Sequence, residues 1–236
     1  MTDGEFRDRV VIVTGASSGI GRAAAEEFAR GGALVATFAR SAEKLNDLAK
    51  SYGDRMLAVA GDVGDPGDVE RLFAETESRF GDCEVLVNNA GMIDPKPLTD
   101  TTPEAWDRMF AVNVRGAFLA TRRALPAMIA KRDGAIVNVA SISGVVGPEK
   151  FPGWVSYCAS KGAVISMTEA LAVEVKQHGV RVNCVSPGSV DTKMWAEASG
   201  GAPASMTPEE IAQAIAFLAS SRSRPMNGQN LNVWSA

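Results

Sequence analysis

The chain is poor in the side chains that build metal sites and disulfide frameworks. In 236 residues there is one histidine, His178, and only three cysteines, Cys83, Cys158 and Cys184, far apart and odd in number. No disulfide framework and no Cys/His zinc site can be assembled at ligand spacing, so the cysteines read as small buried residues and no metal is expected. His178 lies in "VKQHGVRV", at a helix end before a strand. Without a G-x-S-x-G elbow to present a nucleophile, it does not point to a Ser-His-Asp hydrolase.

A basic excess is also missing. The balance is 24 Lys+Arg against 28 Asp+Glu, a net charge of -4 with no basic block, which argues against a nucleic-acid partner. The opening "MTDGEFRDRVVIVTGASS" reaches glycine before any long apolar run and resembles neither a secretion signal nor a membrane anchor. A cytoplasmic location is expected. The 46% hydrophobic content, 23 glycines and 11 prolines describe an ordinary folded chain with many turns. Its length suits one α/β domain over residues 1–236.

Short β-branched runs alternate with amphipathic stretches of helical length: "RVVIVTG", "GIGRAAAEEFARGG", "ALVATFAR", "AEKLNDLAKSY", "RMLAVAGDV". The alternation continues to a helix around 103 to 131, a helix from about 155 to 178, another near 208 to 220 and a last strand in "GQNLNVW". It predicts parallel strands joined by crossover helices. Runs such as "VVIV" and "AIVNVA" lack polar alternation, as strands covered on both faces do. The expected fold is therefore α/β, a doubly wound parallel sheet with helices on both faces. Ligands of such sheets bind beyond the carboxyl ends of the strands.

There "TGASSGIG", Thr14 to Gly21, sets Gly15, Gly19 and Gly21 between a strand and a helix. Unpaired N–H groups and the helix dipole make that junction an anion site. The spacing is G-x-x-x-G-x-G, which also suits a turn needing glycine for its own geometry. If a dinucleotide binds, the residue about 20 positions on reads the adenosine ribose. Here it is Ala39-Arg40, with no carboxylate for a free 2′-hydroxyl. Arg40 can pair with a 2′-phosphate, which favours NADP(H) over NAD(H). Asp62 in "GDV" either meets the adenine amino group or caps its own turn.

Taken together, "TGASSGIG", "GDV" at 61, "NNAG" at 88, Asn113 in "FAVNVRGAF", "IVNVASISG" at 136, "YCASK" at 157, "RVNCVSPGSVDT" at 181 and "PEEIAQAIAFLAS" at 208 resemble the short-chain dehydrogenase/reductase family, across nearly the whole chain. The branch is similar to the 3-oxoacyl-carrier-protein reductases. The resemblance implies a Rossmann fold, an oxidoreductase acting on a small carbonyl or alcohol, a homotetramer or homodimer, and a catalytic group of Asn113, Ser141, Tyr157 and Lys161. It also implies a cofactor cleft of Gly15, Ser17, Ser18, Gly19, Ile20, Gly21, Arg40, Asp62, Val63, Asn89, Ala90, Gly91, Pro187, Gly188, Val190 and Thr192, joined by Tyr157 and Lys161. Asn113 would interrupt its helix and anchor a water; Lys161 would hold the nicotinamide ribose. Ser143 is the second-choice serine.

Tyr157 and Lys161 fall at i and i+4 on one helix face, where a cation is expected to pull the phenol's pKa down. The segment about 193–207 is expected to be a short substrate lid, with Met194 and Trp195 facing substrate. The helix from 155 is apolar around much of its circumference, which suggests a subunit interface. Arg115, Arg122 and Arg123 are candidates for docking a carrier protein. The competing readings are an NAD-dependent alcohol or sugar dehydrogenase and a non-catalytic dinucleotide sensor or scaffold.

Overall fold

The β-branched runs become strands that are buried along their length: all five residues of β1 (Val10–Thr14) lie inside. The computed structural model describes residues 4–234. After β1 come α1 (Gly19–Arg30), β2 (Leu34–Ala39), α2 (Ala42–Lys50), β3 (Met56–Ala60), α3 (Pro66–Phe80) and β4 (Val85–Asn88). They are followed by α4 (Pro103–Phe110), α5 (Gly116–Lys131), β5 (Gly134–Val139), α6 (Val155–Val175) and β6 (Val180–Pro187). The chain closes with α7 (Lys193–Ala198), α8 (Pro208–Ala219) and β7 (Asn230–Val233).

The sheet order is β3-β2-β1-β4-β5-β6-β7, every pair parallel. Burial on both faces requires two cores. One packs Phe28 of α1, Leu45 and Leu48 of α2 and Ile211 and Ile215 of α8 against the sheet. The other uses Leu72 and Phe73 of α3, Ala120, Ala124 and Met128 of α5, and Ala172 and Val175 of α6. This is the doubly wound architecture read from the sequence. Its strand order reverses between β1 and β4, which opens a crevice at their carboxyl ends.

The segment 103–131 is interrupted where the resemblance implied: two helices are joined by a π-helical turn, Ala111–Arg115, with buried Asn113 at its centre. One helical span differs from the sequence reading. The helix from 155 ends at Val175; Lys176–His178 form a 3₁₀ turn, closed by Gly179 in the left-handed region at φ 73°. The segment 193–207 carries α7 and a loop, pinned at its ends by pairing of Val190 with Met206 and by the Ser189 and Ser205 hydroxyls 3.0 Å apart. Among the described residues no helix is long and apolar enough to cross a membrane.

Arg181 of β6 fastens the end of α8. Its guanidinium donates to the carbonyls of Leu218 (2.8 Å), Ala219 (3.0 Å) and Ser220 (3.0 Å) and to Ser223 Oγ (2.9 Å). Arg181→Ala leaves those carbonyls without their charged donor and is expected to cost roughly 2–3 kcal/mol. Chemical denaturation checks this; an unchanged midpoint would contradict it.

Candidate active site

The two strands flanking the crevice are tied together by Thr14 and Asn89. Thr14 Oγ1 accepts from the N–H groups of Asn89 and Ala90, both at 3.1 Å, and Asn89 Nδ2 donates to Thr14 O (2.9 Å) and Gly15 O (3.2 Å). This knot explains the glycines. Gly15 has φ +71°, and a Cβ there would stand 2.7 Å from Asn89 Nδ2; a Cβ on Gly21 would overlap Asn89 Nδ2 and Gly15 O. The loop is thus held tight against β4, and α1 begins at Gly19 with N-cap Ser18 making no side-chain capping bond. No acidic side chain sits in its first turn. The first N–H groups of α1 therefore face the crevice uncapped, an arrangement that fits a phosphate.

At the far side of this end, Arg40 directly follows β2 and makes no ion pair among the described residues. Lys44 and Ser41 share the cleft rim with it. Arg40 thus has the basic companion that is lacking at Ser17 and Ser18. Asp62 accepts from Gly64 N (2.9 Å) and from Arg108 Nη2 (2.7 Å). Burial opposes its ionisation, but those two donors prevail and hold the carboxyl below its usual range. Asp62 therefore caps its own turn while lining the cleft. A dinucleotide fits these residues: an uncapped helix start, a close-packed glycine loop and an unpaired cation at the ribose position.

The other end of the cleft is formed by Ser141 after β5 and by the first turns of α6. Ser141 Oγ accepts from Ser143 N (3.1 Å) as N-cap of a 3₁₀ turn, Ile142–Gly144. That turn lies flush on α6, for a Cβ on Gly144 would come 2.6 Å from Gly162 N. The contact sets the Ser141 hydroxyl beside the Tyr157 phenol. Burial pushes the phenol up from 10.0 to about 12, the Ser141 hydroxyl pulling the other way.

Lys161, buried at 4% exposure, donates to Val139 O at 2.8 Å, and its ammonium lies 5.8 Å from the Tyr157 ring centroid. The depressed phenol pKa expected from the i, i+4 spacing is absent, because desolvation dominates while the cation is directed at a backbone carbonyl. The same burial lowers Lys161 from 10.5 to about 8. The unfolded chain keeps that proton to the higher pH, so between these values folding stability rises with pH. Lys161→Met removes the group, and wild type is expected to gain roughly 2–3 kcal/mol relative to the variant as pH climbs from about 8 to about 10.5. Denaturation of both proteins across that range checks it; a flat difference would contradict it.

Asn113 locks the floor. Its Oδ1 accepts from Met92 N (2.7 Å), and its Nδ2 donates to Met92 O and to Ser160 Oγ, both at 2.9 Å. Both ends of the amide thus bond within the protein. What the side chain does is fasten the segment after β4 to α6.

A cavity of about 640 Å³ joins the two ends. All the cofactor residues read from the sequence line it, as do Ser141, Ser143, Tyr157, Lys161, Met194 and Trp195; Asn113 lies beneath the lining. Lys44, Arg108, Ile93, Phe151, Trp154 and Trp234 also line it and were not singled out in the sequence. Phe151 and Trp154 lie in "GPEKFPGW", between Ser141 and Tyr157, and that aromatic pair was the available signal.

A family model described as short chain dehydrogenase matches residues 9–202. The 2-(R)-hydroxypropyl-CoM dehydrogenase of Xanthobacter autotrophicus is 45% identical over 193 residues, 79% of this chain and 76% of that protein. The cis-4-hydroxycyclohexanecarboxylate dehydrogenase of Sinomonas cyclohexanicum is 41% identical over 229 residues, 91% of this chain and 90% of that one. The crystal structure of 3-ketoacyl-(acyl-carrier-protein) reductase from Brucella melitensis complexed with NADH matches with a TM-score of 0.88 at 34% identity, covering 96% of this chain and 97% of that chain. The crevice of this parallel sheet is thus one that proteins of the same sequence class share, and the chain belongs to the short chain dehydrogenase family of NAD(P)-dependent oxidoreductases acting on alcohols and ketones.

Proposed function

We propose that the protein interconverts a ketone and a secondary alcohol with NADP(H) preferred, Tyr157 serving as proton donor and acceptor. The observation that carries this reading is a buried, neutral phenol beside the Ser141 hydroxyl, at the end of a cleft that starts at the uncapped N-terminus of α1. The nicotinamide supplies or takes the hydride when bound. Gly15, Ser17, Ser18, Gly19, Ile20 and Gly21 would hold its phosphates, Asp62 and Val63 the adenine end, and Asn89 to Gly91 the wall of the cleft. Pro187, Gly188, Val190 and Thr192 would line the carboxamide.

In reduction the Tyr157 O–H protonates the carbonyl oxygen. Ser141 Oγ accepts from Ser143 N–H and directs its own proton to the same oxygen as charge develops. The Lys161 ammonium stabilises the tyrosinate that forms, and Asn113 is a positioning residue. Oxidation is the reverse. The segment 193–207 acts as the lid.

Arg40 and Lys44 on one rim support NADP(H). NAD(H) is the second reading, favoured by the lack of a basic side chain at Ser17 or Ser18. The assigned catalytic residues speak against a silent sensor. Of the three arginines considered for carrier docking, Arg115 donates to Gly64 O (2.7 Å) and Arg123 is held by Glu70 and Glu77. Arg122 is exposed, and with the likeness to 3-oxoacyl-carrier-protein reductases it supports reduction of a 3-oxoacyl thioester as one substrate reading. The exposed faces of α5 and α6, with Phe118 and Val173, support a homodimer or homotetramer, and three free cysteines agree with a cytoplasmic location.

The test is oxidation of NADPH and NADH against acetoacetyl thioesters, diketones, keto sugars and aromatic ketones. Selective consumption of NADPH with one class is expected. Consumption of NADH alone would overturn the cofactor assignment, and no consumption of either would overturn the reaction.

A further inference from the structure

We propose that the substrate is an uncharged ketone or secondary alcohol bearing an aromatic or alicyclic ring next to the reacting carbon, received in an aromatic box of Phe151, Trp154 and Trp195. This rests on the oxidoreductase reading and specifies what that site takes. The rings interlock. Phe151 and Trp154 lie with centroids 4.7 Å apart, Trp195 meets Phe151 edge-on at 6.0 Å, and Trp154 and Trp195 cross at 80°. Trp154 also stands perpendicular to Tyr157 at 5.7 Å. A carbonyl oxygen at the Tyr157 hydroxyl therefore places its substituent against this wall. Rings gain from such walls by burial and by edge-to-face contact.

The wall is held in place rather than loose. Trp195 Nε1 donates to Ala202 O at 2.8 Å, and its N–H to Thr192 Oγ1 at 3.1 Å, so the lid carries the indole at a fixed angle. Trp154 is buried at 6% exposure at the start of α6.

Charge points the same way. The charged side chains lining the cavity are Arg40, Lys44, Asp62 and Arg108 at the dinucleotide end, Lys161 at the reacting centre, and Lys193. Lys193 faces Glu197 at 3.5 Å on the exposed surface of the lid. Among the described residues lining the cavity the one buried cation is Lys161, already held by Val139 O at 2.8 Å, so a carboxylate against the rings would lose its hydration without a free partner. The reaction balances without a further reagent: ketone, NADPH and a proton give alcohol and NADP⁺, hydride going to the carbonyl carbon and the proton from Tyr157 to oxygen.

The experiment compares acetophenone and cyclohexyl methyl ketone with para-carboxylated acetophenone and a linear acetoacetyl thioester. For wild type, kcat/KM is expected to be at least about tenfold higher for the neutral ring ketones. Trp195→Leu is expected to remove about tenfold of that preference. Trp154→Leu serves as the second variant. Tryptophan quenching by acetophenone in Tyr157→Phe provides a readout free of turnover. Equal or better use of the carboxylated or linear compounds would overturn the box and leave the oxidoreductase reading standing. Quenching without turnover of any ketone would support the box and sink that reading.

Discussion

Tyr157→Phe is expected to lower turnover by roughly 10²- to 10⁴-fold while NADPH affinity stays within a few-fold. The substitution removes only the hydroxyl, because the ring's edge-to-face contact with Trp154 survives in phenylalanine. Fold and cleft should therefore remain, and the loss reports the proton. The pH dependence follows from the same burial. With the free-enzyme phenol near 12, the acid form needed for reduction is populated throughout neutral pH. Reduction should be flat there, whereas oxidation, which needs the tyrosinate, should rise with pH. Cofactor titration by fluorescence and initial rates in both directions measure each part. Unchanged turnover in Tyr157→Phe would remove Tyr157 from the chemistry.

Arg40→Ala is expected to weaken NADPH by about 10- to 100-fold and NADH by no more than about twofold. A charge-assisted hydrogen bond to a phosphate is worth about 1.5–3 kcal/mol, and NADH has no 2′-phosphate to receive it. Arg40 makes no ion pair among the described residues, so its removal frees no buried carboxylate. Lys44 on the same rim should retain part of the preference. Arg40→Ala with Lys44→Ala is then expected to bind the two cofactors about equally. Direct binding of both cofactors to the single and double variants checks this. Equal weakening of NADPH and NADH by Arg40→Ala would show that the side chain holds the cleft rather than the phosphate.

Much of the fold was legible because it follows from local pattern. β1 and β5 read as continuous apolar runs, and they are buried on both faces. The glycine loop read as a strand-to-helix turn for the same reason. What the sequence could not deliver is what tertiary contact decides. The spacing of Tyr157 and Lys161 set them on one helix face, yet burial and the bond to Val139 O determine their charges. Asn113 carried no local sign that Met92 and Ser160 would hold both ends of its amide. Lys44, four residues beyond Arg40 on the next helix, joins the rim only because α2 starts immediately after β2. The aromatic wall gathers Phe151 and Trp154 with Trp195 from over 40 positions further on, a meeting that no periodicity announces.

The most direct measurement uses NADPH deuterated at both C4 positions of the nicotinamide, a neutral ring ketone and wild-type protein, with mass analysis of the alcohol. The account predicts one deuterium on the carbinol carbon of each product molecule, formed in step with NADPH consumed. Absence of alcohol, or alcohol without the label, would contradict it.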